Sequence, residues 1–199
     1  MNHTQLPIIL ASTSPRRREL LTTAGVNFQT LAVDIDETWQ HGEQPVDYIR
    51  RMVEQKAVQA SCLATLPTSC LLITADTIGV KDGTVLTKPL DKADAYRMWA
   101  MLSDSTHEIW TAVCASLVEC GKICQQKMIC ECTQVDFVAI SESMKQRYWA
   151  TGEPRDKAGA YAIQGGAMAW VKGIRGSYTN VVGLPLSQTL ALIDEFIKP

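Results

Sequence analysis

An α/β fold is predicted by three observations: an apolar strand run that breaks into a helix start, a second apolar run followed by an acidic residue, and helical-period segments between the strands. The first run is Pro7-Ile8-Ile9-Leu10-Ala11, which reads as a buried parallel strand. Ser12-Thr13-Ser14 then gives way to Pro15. Serine at an N-cap with proline at the first helical position starts a helix. That helix covers residues 15–24, turns Leu20, Leu21 and Ala24 toward a core, and stops at Gly25. Strand, polar loop and helix in that order open an α/β domain.

The following elements keep the alternation. Phe28–Ala32 reads as a strand leading into the acidic segment Asp34-Ile35-Asp36-Glu37. Pro45 begins a helix that places Tyr48, Ile49, Met52, Val53 and Ala57 at helical spacing. The strand Cys70–Thr74 delivers Ala75-Asp76-Thr77 at its end, and the turn signal Lys81-Asp82-Gly83-Thr84 pairs Ile78–Val80 with Val85–Leu86. A helix covers Asp91–Leu102. Strands follow over Ile109–Val118 and Ile123–Val138, the second with a bend or bulge. Ser141 caps a helix to Tyr148, Gly152–Gly183 is rich in glycine and polar residues, and Ser187–Ile197 is the last helix. No linker or repeat interrupts the chain, so residues 1–199 are expected to form one domain.

Composition narrows the function classes. Formal net charge is −2, from 19 Lys plus Arg against 21 Asp plus Glu, which gives no global attraction to a nucleic acid or an anionic membrane. No apolar run reaches the roughly 18 residues that span a bilayer. Met1–Pro7 lacks the basic-then-apolar pattern of a signal peptide, so a cytoplasmic location is expected. Seven cysteines are too odd a number for full pairing in a monomer. Cys114, Cys120, Cys124, Cys130 and Cys132 contain no Cys-x-x-Cys spacing and read as small apolar residues of a hairpin around Gly121-Lys122.

Three segments put ionisable groups where packing alone does not require them. Arg16, Arg17 and Arg18 follow Ser14-Pro15 at a helix N-terminus, where exposed N–H groups and the positive dipole end already favour an anion. Phosphate suits such a place, and a solvated basic turn is the competing reading. Asp76 follows an apolar strand, where it would hold a metal, act as a base or cap a helix. Asp34, Asp36 and Glu37 form a third group, to be weighed against plain surface solvation. Together, cations for a polyphosphate and carboxylates for Mg²⁺ or Mn²⁺ make a metal-assisted phosphoryl hydrolase the coherent reading. The absence of a Gly-x-x-x-x-Gly-Lys-Ser/Thr motif argues against a P-loop enzyme.

Those residues fall in blocks that resemble the Maf-like nucleoside triphosphate pyrophosphatases. The blocks are Ala11-Ser12-Thr13-Ser14-Pro15-Arg16-Arg17, Asp36-Glu37, Glu54-Gln55-Lys56-Ala57, Ala75-Asp76-Thr77, Lys88-Pro89, Thr111-Ala112-Val113, the run Glu153–Gly165, Gly176-Ser177-Tyr178 and Val181-Val182-Gly183-Leu184-Pro185. They span nearly the whole chain in the family's order. The resemblance implies a mixed, elongated sheet with flanking helices, forming two lobes around a central cleft (Maf/ITPase-like), often as a homodimer. It implies cleavage between the α and β phosphates with release of pyrophosphate. By the same resemblance Asp76 is the proton acceptor, and Glu37 and Lys56 are further active-site residues. Lys88 is the lysine expected to contact substrate phosphate, and Ser14, Arg16, Arg17, Thr77 and Gln164 are expected to complete the substrate site. Glu37 and Asp76 are the expected ligands of a divalent cation, Mg²⁺, Mn²⁺ or Co²⁺.

Within the family, Arg16, Thr77 and Gln164 resemble the subgroup acting on dTTP and UTP. A sister subgroup acting on 7-methyl-GTP carries tryptophan, glutamine and glutamate at these positions. An amide such as Gln164 accepts from the imide N–H of uracil or thymine and donates to its carbonyl, whereas glutamate suits guanine. The resemblance extends to modified pyrimidine nucleotides such as 5-methyl-UTP and to nucleotide-pool cleaning. A cell-division role through partner binding is the rival reading from another class.

Overall fold

The computed structural model describes residues 6–40 and 42–197. Most of the polar N-terminal segment, Met1–Gln5, lies outside them. The elements in chain order are β1 (Ile8–Ala11), α1 (Pro15–Thr23), β2 (Gln29–Leu31), α2 (Pro45–Ser61), β3 (Ser69–Lys81), β4 (Thr84–Leu86), α3 (Lys92–Leu102), β5 (Thr106–Glu119), β6 (Lys122–Phe137), α4 (Glu142–Ala150), β7 (Val171–Arg175), α5 (Tyr178–Val182) and α6 (Leu186–Ile197). Short 3₁₀ turns fill Glu153–Asp156, Ala158–Ala160 and Gly166–Trp170. The strands hydrogen-bond in the order β2-β1-β3-β5-β6-β7, with β4 on β3. The sheet is mixed: β1 runs parallel to β2 and β3, while β3–β4 and β6–β7 are antiparallel.

The chain divides into two compact units. The first comprises Met1–Asp76, Thr111–Glu131 and Gly183–Pro199, and the second Thr77–Trp110 and Cys132–Val182. In the first unit, strand alternation sorts two cores. Ile8 and Leu10 of β1, Leu71, Ile73 and Ala75 of β3, and Val113 and Ala115 of β5 pack with Leu21 of α1 and Leu192 and Ile193 of α6. Ile9, Ala11, Cys70, Leu72 and Val118 face the other way, onto Ala57 and Ala60 of α2. Both faces are thus covered, which is why β1 and β3 read as continuous apolar runs. Residues 74 and 76 continue the face of 70 and 72, so Asp76 points to the α2 side by period-2 alternation.

The second unit centres on aromatic rings. Trp99 of α3 lies 5.6 Å from Tyr148 and 5.3 Å from Trp170, and Phe137 lies 4.9 Å from Tyr161. Buried Trp99 donates its indole N–H to the carbonyl of Ala160 at 2.9 Å, which satisfies the one polar atom it brings inside. His107 is only 2% exposed and meets the Tyr161 hydroxyl at 2.6 Å through Nε2. Burial first, and then the charge of Lys81, push this imidazole down to about 4. Buried Asn180 donates to the Ile109 carbonyl and to Thr133 Oγ1, both at 3.0 Å, tying α5 to β5 and β6.

Several boundaries differ from the sequence expectation. β3 does not end at Thr74 but runs unbroken for 13 residues to Lys81, so Asp76 lies mid-strand. Thr77, Ile78 and Val80 are β-branched and favour extension, and the first turn residues, Asp82 and Gly83, sit at φ 49° and 74°. Helix α1 ends at Thr23, and Gly25 at φ 73° lets the Val26 N–H return to the Leu21 carbonyl at 3.1 Å. The expected strand Phe28–Ala32 shrinks to Gln29–Leu31. Strand β7 lay unseen in the glycine-rich stretch, because Val-Lys-Gly-Ile-Arg has little alternation and is held by pairing with β6. Its register shifts at Asp136/Phe137, which locates the anticipated irregularity of β6. Among the described residues no helix is long and apolar enough to cross a membrane.

Candidate active site

A single face of α2 sets the centre of the site. Met52, Val53, Lys56, Ala57 and Ala60 recur at three- and four-residue spacing and are all buried, so Lys56 continues an apolar stripe against the sheet. Thr74 Oγ1 on β3 donates to the Val53 carbonyl at 2.8 Å, fixing helix to strand. One step further along both elements, three residues on the helix and two on the strand, Lys56 Nζ meets Asp76 Oδ1 at 2.7 Å. The same ammonium reaches Glu37 Oε1 at 2.9 Å. Lys56 is 9% exposed, and a buried ammonium requires such partners.

Glu37 comes from the segment between β2 and α2, and α2 itself holds that segment down. The Tyr48 hydroxyl donates to the Glu37 carbonyl at 2.9 Å. Trp39 stacks on the Tyr48 ring at 5.1 Å. Arg51 donates to the Thr38 carbonyl at 3.0 Å and forms a fork with the Glu43 carboxylate at 2.7 Å through both Nε and Nη2. Burial, followed by the negative charges of Asp76 and Glu37, pushes the Tyr48 phenol up to about 12, so it stays a neutral donor. Of the three acidic residues singled out, Asp36 shapes its own turn. Its Oδ1 accepts from the Thr38 amide at 2.9 Å and from the Thr38 hydroxyl at 2.5 Å. Those bonds, led by the hydroxyl, hold its carboxyl below the usual range.

Arg17 joins this group from α1. Its Nε donates to the Gly183 carbonyl at 2.8 Å and its Nη1 to Ser12 Oγ at 3.3 Å. Desolvation lowers its pKa, opposed by the nearby charge of Asp76 and, more weakly, of Glu37. The structure therefore brings Glu37, Lys56 and Asp76 into contact, with Arg17 near enough to feel both carboxylate charges. Ser14 occupies the N-cap of α1 as expected, but its side chain makes no capping hydrogen bond. Arg16 is half-buried on the first turn of the same helix and lowers the pKa of Arg17 by its charge.

The remaining predicted residues belong to the second unit. Thr77 is half-buried on β3, directly after Asp76. Lys88 is exposed just beyond β4. Gln164 is exposed in a turn closed by the Gly165 N–H on the Ala162 carbonyl at 3.1 Å. Sequence reasoning counted Tyr48 only as a packing residue and passed over Arg51. The aromatic–basic pair one turn apart, behind an acidic segment, was the available signal.

Among the described residues no cluster of three or more His, Cys, Asp or Glu side chains gathers. The donor set at the centre is two carboxylates on one ammonium. Mg²⁺ and Mn²⁺ commonly take one or two protein carboxylates and complete their shells with water and phosphate oxygens, so this pair fits such a cation.

Comparison with known proteins finds relatives along nearly the whole chain. A dTTP/UTP pyrophosphatase of Psychrobacter cryohalolentis is 49% identical, across 96% of this chain and 97% of that protein. One of Psychrobacter arcticus is 50% identical over 96% and 95% of the two chains. One of Saccharophagus degradans is 44% identical over 96% and 90%. Residues 7–196 match the family model described as Maf-like protein, and the chain belongs to that family.

Proposed function

We propose that this chain is a nucleoside triphosphate pyrophosphatase that hydrolyses dTTP and UTP, and modified pyrimidine nucleotides of the same shape, to monophosphate and pyrophosphate. The observation that carries the reading is the Lys56 ammonium held by both Glu37 and Asp76, at 2.9 and 2.7 Å. Relatives at 44–50% identity that bear the name dTTP/UTP pyrophosphatase support the substrate class.

In this reading Asp76 orients the attacking water and accepts its proton. Water oxygen bonds to phosphorus as the α–β anhydride bond breaks, and pyrophosphate leaves. Lys56 keeps Asp76 in place and, with Arg17, offsets negative charge on the phosphates and the leaving group. Lys88 and the helix start at Ser14 and Arg16 contribute further phosphate contacts. Glu37 and Asp76 would hold a divalent cation, Mg²⁺, Mn²⁺ or Co²⁺, whose chemistry is to polarise phosphoryl oxygens and to acidify water. Gln164 supplies an amide that matches the imide edge of thymine and uracil, with Arg16 and Thr77 as the other selecting positions.

A panel of nucleoside triphosphates with each cation, resolved by phosphorus NMR, tests this directly. Monophosphate and pyrophosphate from dTTP and UTP are expected. Diphosphate plus orthophosphate would place the cut at another bond, and equal turnover of 7-methyl-GTP and dTTP would defeat the pyrimidine assignment.

A further inference from the structure

The turn that carries Gln164 is fastened on both sides by side chains from the segment just before it. On one side the Ala162 N–H donates to the hydroxyl of Tyr148, a residue of α4 that is 3% exposed, at 2.9 Å. On the other, the Gly166 N–H donates to Glu153 Oε2, also at 2.9 Å. Glu153 reaches that amide because Gly152, at φ 76°, reverses the chain after α4. An N–H bond to a charged carboxylate is stronger than one between neutral groups.

Glu153 also explains the glycine at position 165. Its φ of −108° lies outside the left-handed region, so φ alone does not require glycine there. A Cβ on Gly165 would sit 1.6 Å from Glu153 Oε1 and 2.2 Å from its Cδ, so any side chain here displaces the flexible end of Glu153. The carboxylate thus lies directly against the backbone that follows Gln164.

We propose that Glu153 is a positioning residue for base selection, fixing the turn so that the Gln164 amide is presented in one orientation. This rests on the reading of Gln164 as the group that meets the base. Glu153 touches no substrate in this scheme. Its contribution is to the aim of its neighbour, and it should appear in selectivity more than in stability.

The contact can be removed from either partner. Glu153→Ala deletes the acceptor, whereas Gly165→Ala expels the same carboxylate by filling its place. Glu153→Gln keeps a carbonyl oxygen for the Gly166 N–H and serves as rescue. The readout is kcat/KM for dTTP divided by that for dCTP, whose base lacks the imide N–H, with thermal melts alongside. Loss of one aimed hydrogen bond predicts that the ratio falls about tenfold in Glu153→Ala and Gly165→Ala and is retained in Glu153→Gln. If Gln164→Ala collapses the ratio while Glu153→Ala and Gly165→Ala keep it, the positioning role is wrong and the reading of Gln164 stands. An equal fall in dTTP and dCTP turnover would reduce Glu153 to general scaffolding and overturn the proposal. An unchanged ratio in Gln164→Ala would remove the reading of Gln164, and the proposal with it.

Discussion

Lys56 and Asp76 meet at 2.7 Å because α2 and β3 are already locked one step earlier, where Thr74 donates to the Val53 carbonyl. The ion pair is therefore placed by a neutral hydrogen bond and by apolar packing, and charge need not assemble it.

Asp76→Asn should abolish turnover while leaving the fold in place. The amide oxygen can still accept from Lys56, but the group no longer takes a proton. Loss of a general base predicts a fall in kcat of at least about 100-fold. Pyrophosphate release measures it, with a thermal melt to confirm folding. Near-normal kcat would exclude Asp76 as the proton acceptor.

Lys56→Met should leave Glu37 and Asp76 without the ammonium they share. Breaking a buried pair costs about 3–5 kcal/mol. Glu37 is 47% exposed and partly screened, so a loss of about 1–2 kcal/mol is expected here. Mn²⁺ should then raise the melting temperature of the variant more than that of the parent, since it would replace the missing charge. Equal Mn²⁺ responses would count against cation binding at these carboxylates.

How much of this centre was legible beforehand follows from chain geometry. β1, α1 and the core of α2 announced themselves through uninterrupted apolar runs, a Ser-Pro helix start and helical spacing. Asp76 was recognisable as an acid in an apolar neighbourhood, yet its strand seemed to end beside it. The turn at Asp82-Gly83 foretold the hairpin with β4, but nothing in Ala-Asp-Thr-Ile shows that one strand runs unbroken through Asp76. Local composition did not separate Glu37 from Asp34 or Asp36; the family resemblance singled it out, and the grip of Tyr48 and Arg51 is what brings its carboxylate to Lys56. β7 was missed because its register is dictated by β6.

His107 should give the second unit a pH-dependent stability. Its folded pKa, about 4, lies below the ordinary 6.5, so the unfolded chain binds the proton first as pH drops. The full contribution is present above pH 6.5, declines between 6.5 and 4, and is constant below. The shift corresponds to about 3 kcal/mol. His107→Gln should flatten this part of the melting profile between pH 4 and 6.5. A profile parallel to the parent's would show that other groups cause the acid loss.

Asn180→Ala should destabilise without touching the proposed chemistry. It leaves the Ile109 carbonyl and Thr133 Oγ1 each short of a donor inside the protein. A cost of about 2 kcal/mol is expected. For a chain of this size that lowers the melting temperature by about 5 °C. A change under one degree would mean that water replaces the amide at both acceptors.

Helix α2 contributes Lys56 and also, through Tyr48 and Arg51, anchors the strap that brings in Glu37. One rigid rod thus acts as a gauge for two of the three charged groups at its flank. Natural drift or directed evolution can retune their spacing by altering the rod's opening turns, with every acid and base retained. Libraries at positions 48 and 51 are the place to look for altered rate or cation preference in an otherwise intact centre.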